Sequence, residues 1–449
     1  MTKTPLRLLA LLFACALYSA APAQTLARPG WVGSGMTADL WWKHAVIYHV
    51  NPANFSPIGG SGLHGVTHHL DYLRSLGVDA LLLTSIQTSP THAQSIDPAY
   101  GTLDDLDDLI HEASRHNIHV LLDLDPQVPV AAMPNVARFW LNRGIAGFHV
   151  IGATDTSHAQ ASILHRAISS YLGQRIVIAD VDPTLPPDLR QRTYRAPDPQ
   201  SPQLILDSRP GTSTTLSAIS IRPAIDALQD ILQAGHSLPL LATDGPAYKR
   251  SMSRYADGQH DITIAKLLAT ILFTTRAEPL LYYGQELGVT NLSTTDATST
   301  TPLIVWDASS PLPAKDKPTP LPKPQPPNAA LQEADPTSLL NWYCQLSTLR
   351  HSNAAINSGS AITLNHDDQN VLVLVRKPQT VTTISPAVVV ICNLSAQPVQ
   401  LSLKPDVQRL HLRGSFLRTL LRSDDGRGPM DLESITLPPY AVYIGQLGY

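Results

Sequence analysis

Between residues 45 and 284 the chain repeats one pattern eight times, a short apolar run followed by a helical or loop stretch. The runs are AVIYHV (45–50), DALLLTS (79–85), IHVLLDL (118–124), IAGFHVI (145–151), RIVIAD (175–180), QLILD (203–207), LPLLATD (238–244) and EPLLYYG (278–284). Helical segments lie between them. THHLDYLRSLGV (67–78) places Leu70, Leu73 and Leu76 on one face, and TLDDLDDLIHEASRHN (102–117) opens with acids that suit the helix dipole. VARFWLNRG (136–144) and the apolar ITIAKLLATILFTT (262–275) are two more. Strands alternating with helices eight times over predict an α/β fold, a (β/α)8 barrel of the TIM type.

The pattern then changes. Residues 309–328 carry eight prolines and predict an extended, exposed loop, and PTSLLNWYCQLSTLR (336–350) predicts the last barrel helix, closing a barrel domain over 24–352. From 360 to 449 short runs such as NVLVLVRK, AVVVICNLS, VQLSLK and SITLPPYAVYIGQL predict an antiparallel β-domain. With 43% hydrophobic and 15% charged residues in 449, the chain has the balance of a globular protein rather than a disordered one. A net charge of −4 provides no long-range attraction to nucleic acid.

Residues 1–23 predict a signal peptide: Lys3 and Arg7 precede the apolar run Leu8–Leu17, and Ala21-Pro22-Ala23 forms a small-residue cleavage pattern. The run is too short to span a bilayer, and no later stretch is long and apolar enough, so the expectation is an exported protein without a transmembrane helix in its mature form. Removing Lys3 and Arg7 leaves 30 basic against 36 acidic residues, a net of −6. Cys344 and Cys392 then read as two buried thiols, although an exported compartment permits a disulfide.

The contents of these runs carry a resemblance. WWKHAVIYHVNPANF (41–55), LDYLRSLGVDALLLTSI, IDPAYGTLDDLDDLI, RFWLNRGIAGF, LLATILFTTRAEPLLYYGQELGVTN and QEADPTSLLNWY resemble, in order and spacing, the α-amylase family, glycoside hydrolase family 13, near its oligo-1,6-glucosidase and trehalose synthase branch. The resemblance runs from Trp41 to the C-terminus and implies a barrel followed by a β-sandwich and a place in carbohydrate metabolism. Such enzymes cleave or transfer α-glucosidic bonds with a nucleophilic carboxylate and a proton-donating carboxyl roughly 5 Å apart. These stand at the C-terminal ends of barrel strands.

At those positions this chain departs from the family. Strand 4 in the family ends G-F-R-x-D; here Gly147-Phe148-His149-Val150-Ile151 puts Ile151 at the nucleophile position and His149 in place of the orienting Arg. Asp155, four residues on, points elsewhere. Strand 5 ends Ala179-Asp180 where the family has G-E, so the acid/base position holds a carboxyl one methylene shorter, with Asp182 nearby. Strand 7 ends Ala242-Thr243-Asp244 for N-H-D, which keeps the Asp that clamps sugar hydroxyls and loses the His. In strand 3 Asp123 matches, but Gln127 and Val128 replace Asn and His. After strand 2 the family's Asp and Tyr fall on His92 and Ala93. The extra domain that the family inserts after strand 3 is nearly absent.

Asp180 and Asp244 are therefore the remnant catalytic candidates, and Asp123 and His149 the remnant substrate-binding ones. Losses across five motifs predict a degenerate site, with no metal and no cofactor, in a protein that binds an α-glucan, an oligosaccharide or a protein partner. An active hydrolase or transglycosylase that uses Asp180 and Asp244 in altered geometry, and a purely structural partner subunit, stay open beside that reading. The family also contains amino-acid-transporter heavy chains that lack the extra domain and catalysis. Those carry a membrane helix, whereas the apolar start here ends in a cleavage pattern. His64, His68 and His69 read as a solvated helix start rather than a metal site, since no Glu stands between them. The tryptophans at 41, 42, 140, 306 and 342 read as packing.

Residues 56–64 (SPIGGSGLH), where that branch often has a calcium loop, contain no acid. A hard cation needs several oxygen ligands. The melting temperature should therefore be the same in chelator and in millimolar calcium, as differential scanning fluorimetry measures; a rise with calcium would reveal a site elsewhere.

Overall fold

A computed structural model describes residues 40–55, 62–182, 202–234, 237–291, 302–307, 328–365, 367–382 and 385–448. Residues Trp41–Tyr449 form one compact unit, distinct from Met1–Leu40. The signal-peptide region and nearly all of the proline-rich stretch lie outside the described residues. Eight parallel strands close into a barrel in chain order: β1 (Ile47–Val50), β2 (Ala80–Leu83), β3 (His119–Leu124), β4 (Gly147–Val150), β5 (Ile176–Asp180), β6 (Leu204–Asp207), β7 (Leu238–Leu241) and β8 (Glu278–Tyr282), with β8 pairing back onto β1.

Each strand is buried on both faces. Tyr48, Leu81, Leu122, Phe148, Val177 and Leu281 point outward into the shell shared with the helices, while their alternates Ile47, Leu82, Leu121, Ile178 and Leu280 are buried inside the ring. Burial on two sides is why the strands read as continuous apolar runs rather than as alternating ones. The expected helix over 67–78 is two helices, Leu63–His68 and Leu70–Leu76. His69 breaks it because its imidazole lies flat against Trp306, with ring centroids 3.6 Å apart and planes within 7°.

The C-terminal region is a six-stranded antiparallel sheet of β9 (Ser360–Leu364), β10 (Val371–Lys377), β11 (Val388–Asn393), β13 (Phe416–Arg422), β14 (Met430–Asp431) and β16 (Val442–Gly448). A second layer pairs β12 (Val399–Leu401) with β15 (Ile435–Leu437). The run SITLPPYAVYIGQL holds two strands, because Pro438 and Pro439 turn the chain between β15 and β16. The large sheet also has two buried faces. Val371, Val373, Val375, Val389, Ile391 and Leu417 pack toward the small sheet. Leu372, Leu374, Val388, Val390, Cys392, Val442 and Ile444 pack into the barrel's own core, each worth about 1.5–3 kcal/mol when buried. Cys344 and Cys392 are both free thiols, pushed up to about 12 by burial.

Arg376, on the barrel-facing side of β10, ties the sheet to the barrel. It is fully buried and donates to the carbonyls of Thr274, Thr275 and Gly359 at 2.5, 2.7 and 3.0 Å. Those carbonyls have lost water. Arg376→Met should therefore destabilise the fold by about 3 kcal/mol, since unmet buried acceptors cost more than the net value of the bonds removed. Urea denaturation of the variant tests this, and a change within error of zero would show that the carbonyls find other partners.

Candidate functional site

The parallel register brings four titratable side chains together at the C-terminal end of the barrel. Asp123 of β3 stands directly beside His149 of β4. His149 pairs with Ile178 of β5, which puts Asp180, two residues on, at the same face one step higher. His49 of β1 approaches from the other side. The result is a continuous chain: His49 Nε2 to Asp123 Oδ2 at 2.8 Å, Asp123 Oδ1 to His149 Nδ1 at 2.7 Å, and His149 Nε2 to Asp180 Oδ1 at 2.9 Å. The backbone N–H of Gly152 donates to the other Asp180 oxygen at 2.7 Å.

His149 faces a carboxylate at each ring nitrogen and donates from both, so it is an imidazolium. Burial alone pulls an imidazole down. Asp180 and then Asp123 outweigh it and push His149 up to about 10. Burial likewise pushes the Asp123 carboxyl up, and His49 and His149 overturn that and hold it well below the usual carboxylate range. Side-chain exposure falls from 22% at Asp180 to 6% at His149 and 3% at Asp123. Asp180 alone of these three reaches the surface, and both of its oxygens are already engaged.

Asp244 sits apart from this chain. Ser251 N–H donates to its Oδ1 at 2.8 Å, Arg254 lies 4.0 Å from the same oxygen, and its side chain is 1% exposed. Burial raises its carboxyl above the usual range against the pull of Arg250, Ser251 and Arg254. Its Oδ2 is buried with no hydrogen-bond partner among the described residues. Thr243, in the position of the family's His, accepts from Gln285 Nε2 at 2.7 Å. Ile151 follows the end of β4, half-buried, and offers only its carbonyl, which accepts from Ser157. Asp155 is exposed in the first turn of helix Asp155–Ile168, away from the chain of four. Val128 is buried, and its carbonyl accepts from Gln160. His92 is exposed and bonds locally with Ser89.

The structure thus brings Asp123, His149 and Asp180 into one network and leaves Asp244 in another. His49 was missed by sequence reasoning. Its signal was a polar residue in an otherwise apolar barrel strand, AVIYHV, where an inward polar group needs a buried partner. His64 and His68 are exposed, as a solvated helix start requires, but His69 is packed on Trp306 and lowered to about 4, by burial first and then by His68. No cluster of metal-ligating side chains occurs among the described residues. None of the described helices is long and apolar enough to cross a membrane.

Residues 46–127 match the family model described as Alpha-amylase, catalytic domain. Trehalose-6-phosphate hydrolase of Escherichia coli (strain K12) is 44% identical over 95 residues, 19% of this chain and 17% of that protein. This match therefore spans about a sixth of that relative's length. Amino acid transporter heavy chain SLC3A2 of Rattus norvegicus is 25% identical over 433 residues, 89% of this chain and 77% of that one. Among solved structures, Bacillus licheniformis trehalose-6-phosphate hydrolase superposes with a TM-score of 0.77 at 18% identity, covering 91% of this chain and all of that one, a likeness of fold. The family resemblance, its branch and the (β/α)8 barrel with a C-terminal antiparallel sheet are borne out.

The His149 imidazolium has a consequence for pH. Its folded value near 10 stands above the ordinary 6.5, so between these values the folded state holds a proton that the unfolded chain has released. Stability from this group is fully present below about 6.5 and is lost as pH rises through about 10. A His149→Gln variant should lose this part of the alkaline decline, measured as the difference in urea midpoint between wild type and variant from pH 6 to 10. A difference that does not shrink toward pH 10 would mean that His149 is neutral in the folded protein.

Proposed function

We propose that this chain is a non-catalytic protein of α-amylase fold that acts by binding, with a protein as its partner. The observation that carries this reading is the state of Asp180. It stands at the acid/base position, yet His149 and the Gly152 N–H occupy both of its oxygens, and the neighbouring strand end offers Ile151 where a nucleophile is needed. A retaining glycosidase requires two carboxyl groups facing each other across the sugar. Here Asp244 is 1% exposed and Asp123 3%, so neither meets a hydroxyl from outside without rearrangement.

The same burial favours a protein partner over a saccharide at the barrel mouth. Extent of likeness points the same way: the hydrolase relative matches 95 residues, whereas the transporter heavy chain matches 433. Being a heavy chain is a partner role in that relative, and we extend a partner role, not its particular complex, to this chain. Export after cleavage of residues 1–23 is part of the proposal and rests on the sequence pattern alone.

Three measurements test it. Purified protein should not hydrolyse maltose, isomaltose, sucrose or starch, since loss of a nucleophile typically costs on the order of a millionfold in rate. Turnover near one per second on any of them, within the ordinary enzymatic range, sinks the reading. Ile151→Asp alone should also leave an aryl α-glucoside uncleaved. The new carboxyl would join a site whose proton donor is tied to His149 and whose Thr243 is tied to Gln285. Catalysis needs such groups preorganised together. Substantial rescue by one substitution would show that the rest of the site is intact. For the binding half, cross-linking in the native cell followed by mass spectrometry should return one stoichiometric protein; stabilisation by an oligosaccharide with no such protein would favour the saccharide reading instead.

A further inference from the structure

Tyr248 stands in the loop after β7 and turns back toward the barrel end, where Gly245 and Tyr248 form a short bridge. Its hydroxyl donates to the Asp244 carbonyl at 3.3 Å. Its ring lies against two glycines. A methyl at Gly211, in the short helix after β6, would fall 2.2 Å from ring carbon Cε2, and one at Gly245 would fall 2.9 Å from Cζ. No side chain fits at either place while the ring is there. The charges that act on the hydroxyl come from Asp244, Arg254, Asp180 and Tyr282. They belong to the ends of β5 and β8 and to the segment that follows β7.

We infer that Tyr248 is an internal occupant of the C-terminal end of the barrel, a hydroxylated six-membered ring held between the segments that follow β6 and β7 that keeps ligands out of the space beside Asp244. The inference deepens the non-catalytic reading by naming what fills that space. Two observations converge on it. Glycine at both 211 and 245 leaves room for the hydroxyl end of the ring. Asp244 Oδ2 is buried without a hydrogen-bond partner among the described residues, as expected of a carboxylate whose former access is shut. A ring of the same size and polarity is the class of ligand that would replace Tyr248 once it is removed.

The test uses the full chain and phenol as the probe. Tyr248→Ala should melt lower than wild type, and phenol should raise its midpoint by about 2–4 °C at concentrations well above its dissociation constant. Wild type and Tyr248→Phe should not respond. In parallel, carbodiimide coupling of an amine to carboxyl groups, mapped by peptide mass spectrometry, should modify Asp244 in Tyr248→Ala, leave it unmodified in wild type, and be suppressed by phenol. A folded Tyr248→Ala that ignores phenol and keeps Asp244 unmodified overturns the inference. If that variant does not fold, Gly211→Ala forces the ring aside by its 2.2 Å conflict and should expose Asp244 to the same reagent; an unmodified Asp244 there overturns the inference equally. Glucoside turnover by wild type would sink the non-catalytic reading, whereas the phenol and labelling results bear on Tyr248 alone.

Discussion

One imidazolium holds the centre of the barrel end together. Asp123 and Asp180 reach the same space from β3 and β5, and two carboxylates so placed repel each other in a medium from which water is largely excluded. His149 lies on the strand between them. Its two N–H groups leave the ring in different directions, so one side chain with one positive charge serves both neighbours at 2.7 and 2.9 Å. The network closes with a second contact on each carboxylate, from His49 to Asp123 and from Gly152 to Asp180. Every oxygen of the two acids is thereby matched. A buried polar network of this kind is stable only when complete.

On the proposed non-catalytic reading, such completeness stands against the two-carboxyl chemistry of a retaining glycosidase. A proton-donating carboxyl must be free to present its proton to a leaving group, and it must face a second carboxyl across the substrate. In this chain the shorter Asp180 is drawn back onto β4 by His149, and the strand end opposite carries Ile151. Asp244, which could have faced the same space, turns inward to Ser251 N–H. Each of the three positions has a local partner inside the protein.

The scaffold was legible in the sequence because its signals are local and repeated. Strands buried on both faces write continuous apolar runs, and the eight runs between Val46 and Tyr283 could be counted directly. The same rule found β10, β11 and β16 in the C-terminal sheet. It passed over β13, FLRTLLR, whose side chains are mostly half-buried and whose charges break the run. At the site, the identities of Ile151, His149 and Asp180 were readable position by position. Their partnership was not, because it depends on which residues of β1, β3, β4 and β5 the barrel's stagger sets side by side. His49 lies 74 residues from Asp123 in the chain and 2.8 Å from it in space. Tyr248 likewise carries no signature in its own neighbourhood. Its meaning comes from Gly211 on the preceding unit, which only the fold brings against it.

These two kinds of legibility reflect how a barrel divides its labour. The residues that close the ring and bind it to the C-terminal sheet face the core, and a polar change there leaves an unmet group at a cost of several kcal/mol. The residues at the strand ends face a space that need only be filled and neutralised, and many combinations do that. A carboxylate pair with a guanidinium is one solution, and a carboxylate–imidazolium–carboxylate chain beside an isoleucine is another. The second keeps the fold's electrostatic balance. That is why the blocks carrying the family resemblance, LLATILFTTRAEPLLYYGQELG among them, are core-facing here, with Leu267, Leu268, Phe273, Tyr283 and Glu286 all buried, while the departures collect at and beyond the ends of β2, β3, β4, β5 and β7. A tyrosine folded back against Gly211 and Gly245 takes up space beside Asp244 without disturbing a single barrel strand.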